Sequence, residues 1–149
     1  MNANLFDSKS YITLHRISKQ QWQAIRYYCL GYDQLCAEYE KLHEVASGSI
    51  IRLPTANRAY FSGVENAAIE SAMLKDEIDI IPTAAQIVDP HIANFIILWA
   101  TKDIPYNTLH DVYGLTCTPV YFERCARMFI CQVDKLLRKN NIKISLAAK

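Results

Sequence analysis

Helix breakers are scarce in this sequence. Its 149 residues include 4 glycines and 5 prolines, below the usual shares of about 7% and 5%. That argues against a loop-rich or low-complexity chain and leaves room for long helices. Long apolar runs are absent as well. The longest spans residues 95–100, far short of the roughly 18 residues that mark a membrane-spanning helix. An excess of charge of one sign is also missing. Sixteen Lys and Arg stand against 15 Asp and Glu, a formal net charge of +1. This balance argues against bulk, sequence-blind nucleic-acid binding, which needs a basic surface, but it is compatible with a local basic face.

The cysteines lack a pairing pattern. There are 5, at positions 29, 36, 117, 125 and 131, with no C-x-x-C. No basic segment followed by an apolar run opens residues 1–10. Free, buried thiols in a reducing cytoplasm are therefore the expectation. Catalytic patterns are missing too: there is no glycine-rich phosphate loop and no G-x-S-x-G. The histidines at 15, 43, 91 and 110 fall on separate segments, with no i, i+4 pair. His91 and His110 meeting Cys117 around zinc is outweighed by ordinary surface or core placement. The acidic pairs Asp76-Glu77 and Glu38/Glu40 read as solvated helix faces. No enzyme, cofactor or metal is expected.

What is present is a hydrophobic fraction of 51% and 9 tyrosines, enough for a core with half-buried aromatic seams. An all-α chain is expected. Residues 1–17 form an N-terminal arm, with Tyr11–His15 read as a short extended piece. Residues 18–88 form a long helical segment with a linker near 48–63. Residues 90–139 form a three-helix, helix-turn-helix-like bundle, and 140–149 a flexible tail. Ser18-x-x-Gln21 fits a capping box. From there Trp22, Ile25, Tyr28, Cys29, Tyr32, Leu35, Cys36 and Tyr39 recur at helical spacing to about Ala46, with Gly31 inside. This seam needs a partner: either residues 64–80 or a second copy of the chain in a homodimer. In the next helix Ile69, Met73 and Ile80 mark the apolar side, with a break or kink expected near Pro82.

Asp89-Pro90 and Thr118-Pro119 each place a capping side chain before a proline at the first helical position. They start helices over 90–102 and 119–139. Between them lies a helix over 105–113, stopped by Gly114. The expected C-terminal core is Ile96, Trp99, Leu109, Leu115, Phe122 and Phe129. The last two helices and their glycine turn have the length and chemistry of a helix-turn-helix. Thr118, Tyr121, Glu123, Arg124 and Arg127 fall off the apolar stripe near the start of the last helix, where a recognition helix meets DNA. Lys135 and Arg138 form a basic end with Lys139 and Lys143.

The stretch over residues 84–137 resembles the C-terminal part of small RinA/ArpU-like regulators of phages and integrated elements in Gram-positive bacteria. The resemblance is carried by Ala84-Ala85-Gln86, Asp89-Pro90-His91-Ile92, Phe95-Ile96, Ile104-Pro105-Tyr106, Leu109, Gly114-Leu115-Thr116-Cys117-Thr118 and Tyr121-Phe122-Glu123-Arg124. It implies a helix-turn-helix that contacts duplex DNA during phage gene expression. Two or three adjacent arginines usual in that group are thinned here to Arg124 and Arg127. The leading expectation is a DNA-binding transcriptional regulator. The alternative is a phage-encoded module that grips a host protein, such as RNA polymerase or a defence nuclease. No membrane association is expected.

Overall fold

The computed structural model describes residues 17–47 and 58–142. Six α-helices account for nearly all of them: α1 Lys19–Leu30, α2 Tyr32–Ser47, α3 Arg58–Val88, α4 Ala93–Lys102, α5 Tyr106–Asp111 and α6 Pro119–Lys139. No strand occurs among the described residues, and none of their helices is long and apolar enough to cross a membrane. The expected arm before residue 17, residues 48–57 of the expected linker and the tail beyond 142 lie outside the described residues, and residues 58–63, expected as linker, open α3 instead.

The chain divides into two compact units, and the division is not the expected one. The described residues up to Gly31 and from Ile80 onward form one unit, and Tyr32–Asp79 form the other. The C-terminal bundle is therefore larger than residues 90–139. It takes in α1 and the last part of α3.

α1 starts as its sequence dictates. The Ser18 hydroxyl accepts the Gln21 N–H at 3.0 Å, satisfying one of the donors that a helix start leaves free. The reciprocal half of the capping box is not made. The Gln21 amide instead donates to Asp134 Oδ1 of α6 at 3.1 Å. The expected continuous helix to Ala46 is interrupted. Gly31 caps α1, its N–H donating to the Tyr27 and Tyr28 carbonyls, and α2 begins at Tyr32. Glycine has the lowest helix propensity after proline, and the boundary between the two units falls on it.

In the larger unit α1 packs on α4 and α6, and α4 packs on α5 and α6. Ile25 and Cys29 from α1, Ile81 and Ala84 from α3, Ile96 from α4, Leu109 from α5, and Phe122, Phe129, Ile130 and Val133 from α6 build the core. Five of the six expected core positions are buried; Trp99 is only half-buried. Gly114 adopts φ 83, a conformation costly for any residue with a Cβ. That turn returns the Leu115 N–H to the Leu109 carbonyl at 3.0 Å and drops Leu115 into the core.

Two further helix boundaries differ from expectation. α4 begins at Ala93 and not at Pro90. Asp89 caps a preceding turn instead, its Oδ1 accepting the His91 N–H at 2.9 Å. α3 runs unbroken through Pro82. Proline there removes one donor and crowds the carbonyl of Ile78. Burial of Ile80, Ile81, Ala84, Ala85 and Val88 on either side supplies the packing that holds the helix together.

In the smaller unit, the buried face of α3 is Ala67, Ser71 and Ile78. The larger Ile69 and Met73, expected to face inward, are exposed. α2 shares this unit with that stretch of α3. The Lys75 ammonium lies 6.0 Å from the Tyr39 ring centre, and Asp79 acts on Tyr32. These pairs run in opposite order along the two helices, so α2 and α3 lie antiparallel. These side-chain neighbours are what links the second half of the expected seam to residues 64–80.

All 5 cysteines are free thiols. Burial pushes Cys29 up to about 12 against the opposing charge of Arg26. Burial likewise pushes Cys125 up to about 11 and Cys131 up to about 11. These groups fold as neutral thiols, so the stability they lend is complete below the unfolded-state value near 8.5. It is lost as pH rises toward their folded-state values. The denaturation midpoint in urea is expected to stay level between pH 7 and 8 and to fall steadily from pH 9 to 11. A midpoint unchanged at pH 11 would show that these thiols are not buried.

Candidate functional site

α6 is the axis of the larger unit. Met128, Ile130, Cys131, Val133 and Asp134 are buried together with the expected stripe of Phe122, Cys125, Phe129 and Leu137. Successive helical residues turn by about 100°, so over residues 128–134 burial reaches round most of the circumference, with Gln132 half-buried. A free face survives only at the two ends of the helix. At the first end, α1, α4, α5 and α6 leave a groove of about 570 Å³ lined by Trp22, Trp99, Tyr106, Pro119, Val120, Phe122, Glu123, Ala126 and Arg127.

Aromatic rings form its floor. Trp99 meets Phe122 edge to face with centres 6.4 Å apart, and it meets Phe129 in the same manner at 6.5 Å. Tyr106 tilts against Phe122 at 5.9 Å, and its hydroxyl donates to the Cys117 carbonyl. The Arg26 guanidinium stacks on the Trp99 ring, 4.0 Å from its centre. Arg26 Nη2 pairs with Asp103 Oδ1 at 3.0 Å, while Nη1 is buried with no hydrogen-bond partner among the described residues. Asp103 ends α4 in the left-handed region at φ 56. Trp99 is therefore clamped between a cation and two rings, and it is half-open to solvent. Both tryptophans of the chain line this one groove.

The expected DNA-contacting residues are scattered by this arrangement. Thr118 caps α6, its hydroxyl accepting the Tyr121 N–H at 3.2 Å. Tyr121 is half-buried, and its hydroxyl donates to Asp89 Oδ2 at 2.6 Å, tying α6 to the turn before α4. Burial and the Asp89 carboxylate together raise its phenol. Glu123 accepts from Arg127 at 3.3 Å, and both line the groove. Arg138 donates to the buried Asp134 carboxylate at 3.0 Å. Arg124 and Lys135 are exposed and make no ion pair among the described residues. The helix keeps its N-terminal cap and two arginines at one end, but much of its charge is neutralised within the chain.

The expected interface residues also separate. Ile25 is fully buried inside the larger unit. Trp22 lines the groove and Tyr28 is half-buried. Tyr32, Leu35 and Tyr39 are half-buried in the smaller unit. Among the described residues, no group of three or more His, Cys, Asp or Glu is arranged to hold a metal ion. His110 Nδ1 instead lies 2.9 Å from the Asp111 carboxylate.

The groove itself was not among the expected sites. Trp22 and Trp99 both read as apolar stripe residues. Nothing local marks them as neighbours until α1 folds back onto α4. No family model, curated protein or solved structure matches the chain.

Proposed function

We propose that this protein is a protein-interaction module that receives an apolar segment of a partner in the Trp22–Trp99 groove. The observation that carries this reading is a cleft walled by Trp22, Trp99, Tyr106 and Phe122, with Val120 left 62% exposed on its rim. Rigid aromatic side chains in a preformed cleft are what partner anchors bind, and they dominate interface energetics. The volume also lies within the range of about 300–1,000 Å³ typical of ligand clefts. An apolar anchor side chain from a helix or extended segment fits such a site.

A second reading is favoured by one observation. Arg124 is exposed on a helix that is capped by Thr118 and preceded by the Gly114 turn. In that reading α5 and α6 act as a helix-turn-helix on duplex DNA, as the resemblance to phage regulators implies. The ion pairs Glu123–Arg127 and Asp134–Arg138 and the enclosed middle of α6 weigh toward the groove.

Selection of a random peptide library against the full chain tests the proposal. Peptides with a shared apolar anchor are expected. Val120→Asp should weaken them at least tenfold, because it puts a carboxylate on the apolar rim. Recovery of no common peptide, or equal binding to Val120→Asp, would refute the proposal.

A further inference from the structure

We infer that the smaller unit carries a second interaction surface, the exposed face of α3 around Ile69 and Met73, and that its partner is a basic amphipathic helix of another protein. None of its residues lines the groove, and the inference does not depend on the groove's role. Ile69 and Met73 are 60% and 61% exposed. They lie four residues apart, so they stand one above the other on a single face. Ala68 and Ala72, both exposed, flank them. Small side chains there leave room for a helix laid along α3 to come close, since the distance between packed helices is set by the side chains at the contact. Large apolar side chains exposed as a contiguous strip, and not singly, mark contact surfaces.

The charge around the strip selects the partner. Glu65 stands one turn before Ile69, Asp76 one turn after Met73, and Glu70 beside them. All three are exposed and make no ion pair or hydrogen bond among the described residues. Lys75 on the same helix is engaged by Asp79 at 3.2 Å, and Lys41 lies on α2. The excess of carboxylates extends to the whole unit. Tyr32–Asp79 contains nine Asp and Glu against four Lys and Arg, although the chain as a whole is balanced. Burial and, after it, the neighbouring Glu38 carboxylate raise the Glu77 carboxyl, so carboxylates of α2 and α3 stand close enough to act on one another. An apolar strip with unpaired carboxylates at both ends and along one side attracts a segment that carries Lys or Arg beside its own apolar stripe. The same sign works against other occupants. The phosphates of nucleic acid or of an anionic lipid surface are repelled, and two copies meeting through this face set carboxylate against carboxylate.

Three synthetic amphipathic helical peptides test this. They share one leucine stripe and differ in the polar face, which is lysine, glutamine or glutamate. Each is titrated into the isotopically labelled full chain. The Met73 methyl signal reads this face, and the Trp22 and Trp99 indole N–H signals read the groove, so the two sites are scored separately. The lysine peptide should shift the Met73 methyl saturably. It should bind there about tenfold more tightly than the glutamine peptide, on the scale of three exposed ion pairs, and the glutamate peptide should leave the signal in place. Ile69→Ser should weaken the lysine peptide severalfold. The combined variant Glu65→Gln, Glu70→Gln, Asp76→Asn should bring the lysine and glutamine peptides to equal affinity, and high salt should narrow the gap in the wild type. All these positions are exposed, so the fold should survive. Absence of a saturable shift at Met73, a shift unchanged by Ile69→Ser, or equal binding of the lysine and glutamine peptides to the wild type overturns the inference. So does a lysine preference that survives the combined variant. A dimer of the free chain in sedimentation, dissolved by Ile69→Ser, overturns it in favour of a second copy.

Discussion

Replacing Phe129 with alanine is expected to remove about 3–5 kcal/mol of stability, the cost of truncating a large ring at a site that cannot collapse. Phe129 is fully buried in the middle of α6 and meets Trp99 edge to face. The loss therefore combines a transfer term, a cavity term and a ring–ring contact. Because α6 is enclosed by α1 and α4 in the same unit, no solvent-facing side is available to fill the void. Urea denaturation checks the figure. A loss under about 1 kcal/mol, at the scale of a surface substitution, would mean that α6 is not the axis of this unit.

Replacing Pro82 with alanine should have the opposite sign. Pro82 sits inside α3 with no break in the helix, so one backbone hydrogen bond is missing and the ring crowds the preceding turn. In a helix interior proline is about 3 kcal/mol less favourable than alanine. Two effects oppose the gain. Proline stiffens the unfolded chain by roughly 0.4–1 kcal/mol, and its half-buried ring leaves some unfilled space. A net stabilisation of about 1–2 kcal/mol is expected, read as a higher denaturation midpoint with an unchanged slope. Destabilisation by Pro82→Ala would indicate that the helix ends before Ile81 and restarts after the proline, as the sequence pattern suggests.

These two positions show what was legible and what was not. Signals that act within a few residues were readable. Ser18 and Thr118 cap the helices they precede, and Gly114 takes the left-handed turn that buries Leu115. Phe122 and Phe129 fall on the inner face that periodicity gives them. What failed was any judgement that depended on distant packing. Pro82 reads as a breaker because local chemistry opposes it, and burial of its neighbours overrides that. Ile69 and Met73 read as core because they are large, yet Ala67 and Ser71 take the buried face and both larger residues are exposed.

The same limit hid the groove. Helical spacing places Trp22 in a seam with Ile25 and Tyr32, and it places Trp99 in the C-terminal core. The return of α1 onto α4 and α6 joins Trp22 to Trp99 across about half of the chain. It also brings Arg26 onto Trp99 and Gln21 to Asp134, pairings that no spacing rule contains. The charge pattern on α6 misleads for a related reason. Arg127 and Arg138 read as a basic face, but Glu123 and Asp134, each one turn earlier, accept them.

The central claim is that the Trp22–Trp99 groove takes a protein segment, and the chain carries its own reporter for it. Its two tryptophans both line the groove, so tryptophan emission reports on that site. The decisive titration follows this emission as a tryptophan-free, library-selected peptide is added to the full chain, beside an equal titration with duplex DNA at low salt. The account predicts a saturable shift in emission with the peptide, abolished in Val120→Asp, and no saturable shift with DNA. A peptide that binds without changing the emission, or a saturable response to DNA that Arg124→Ala removes, would contradict it.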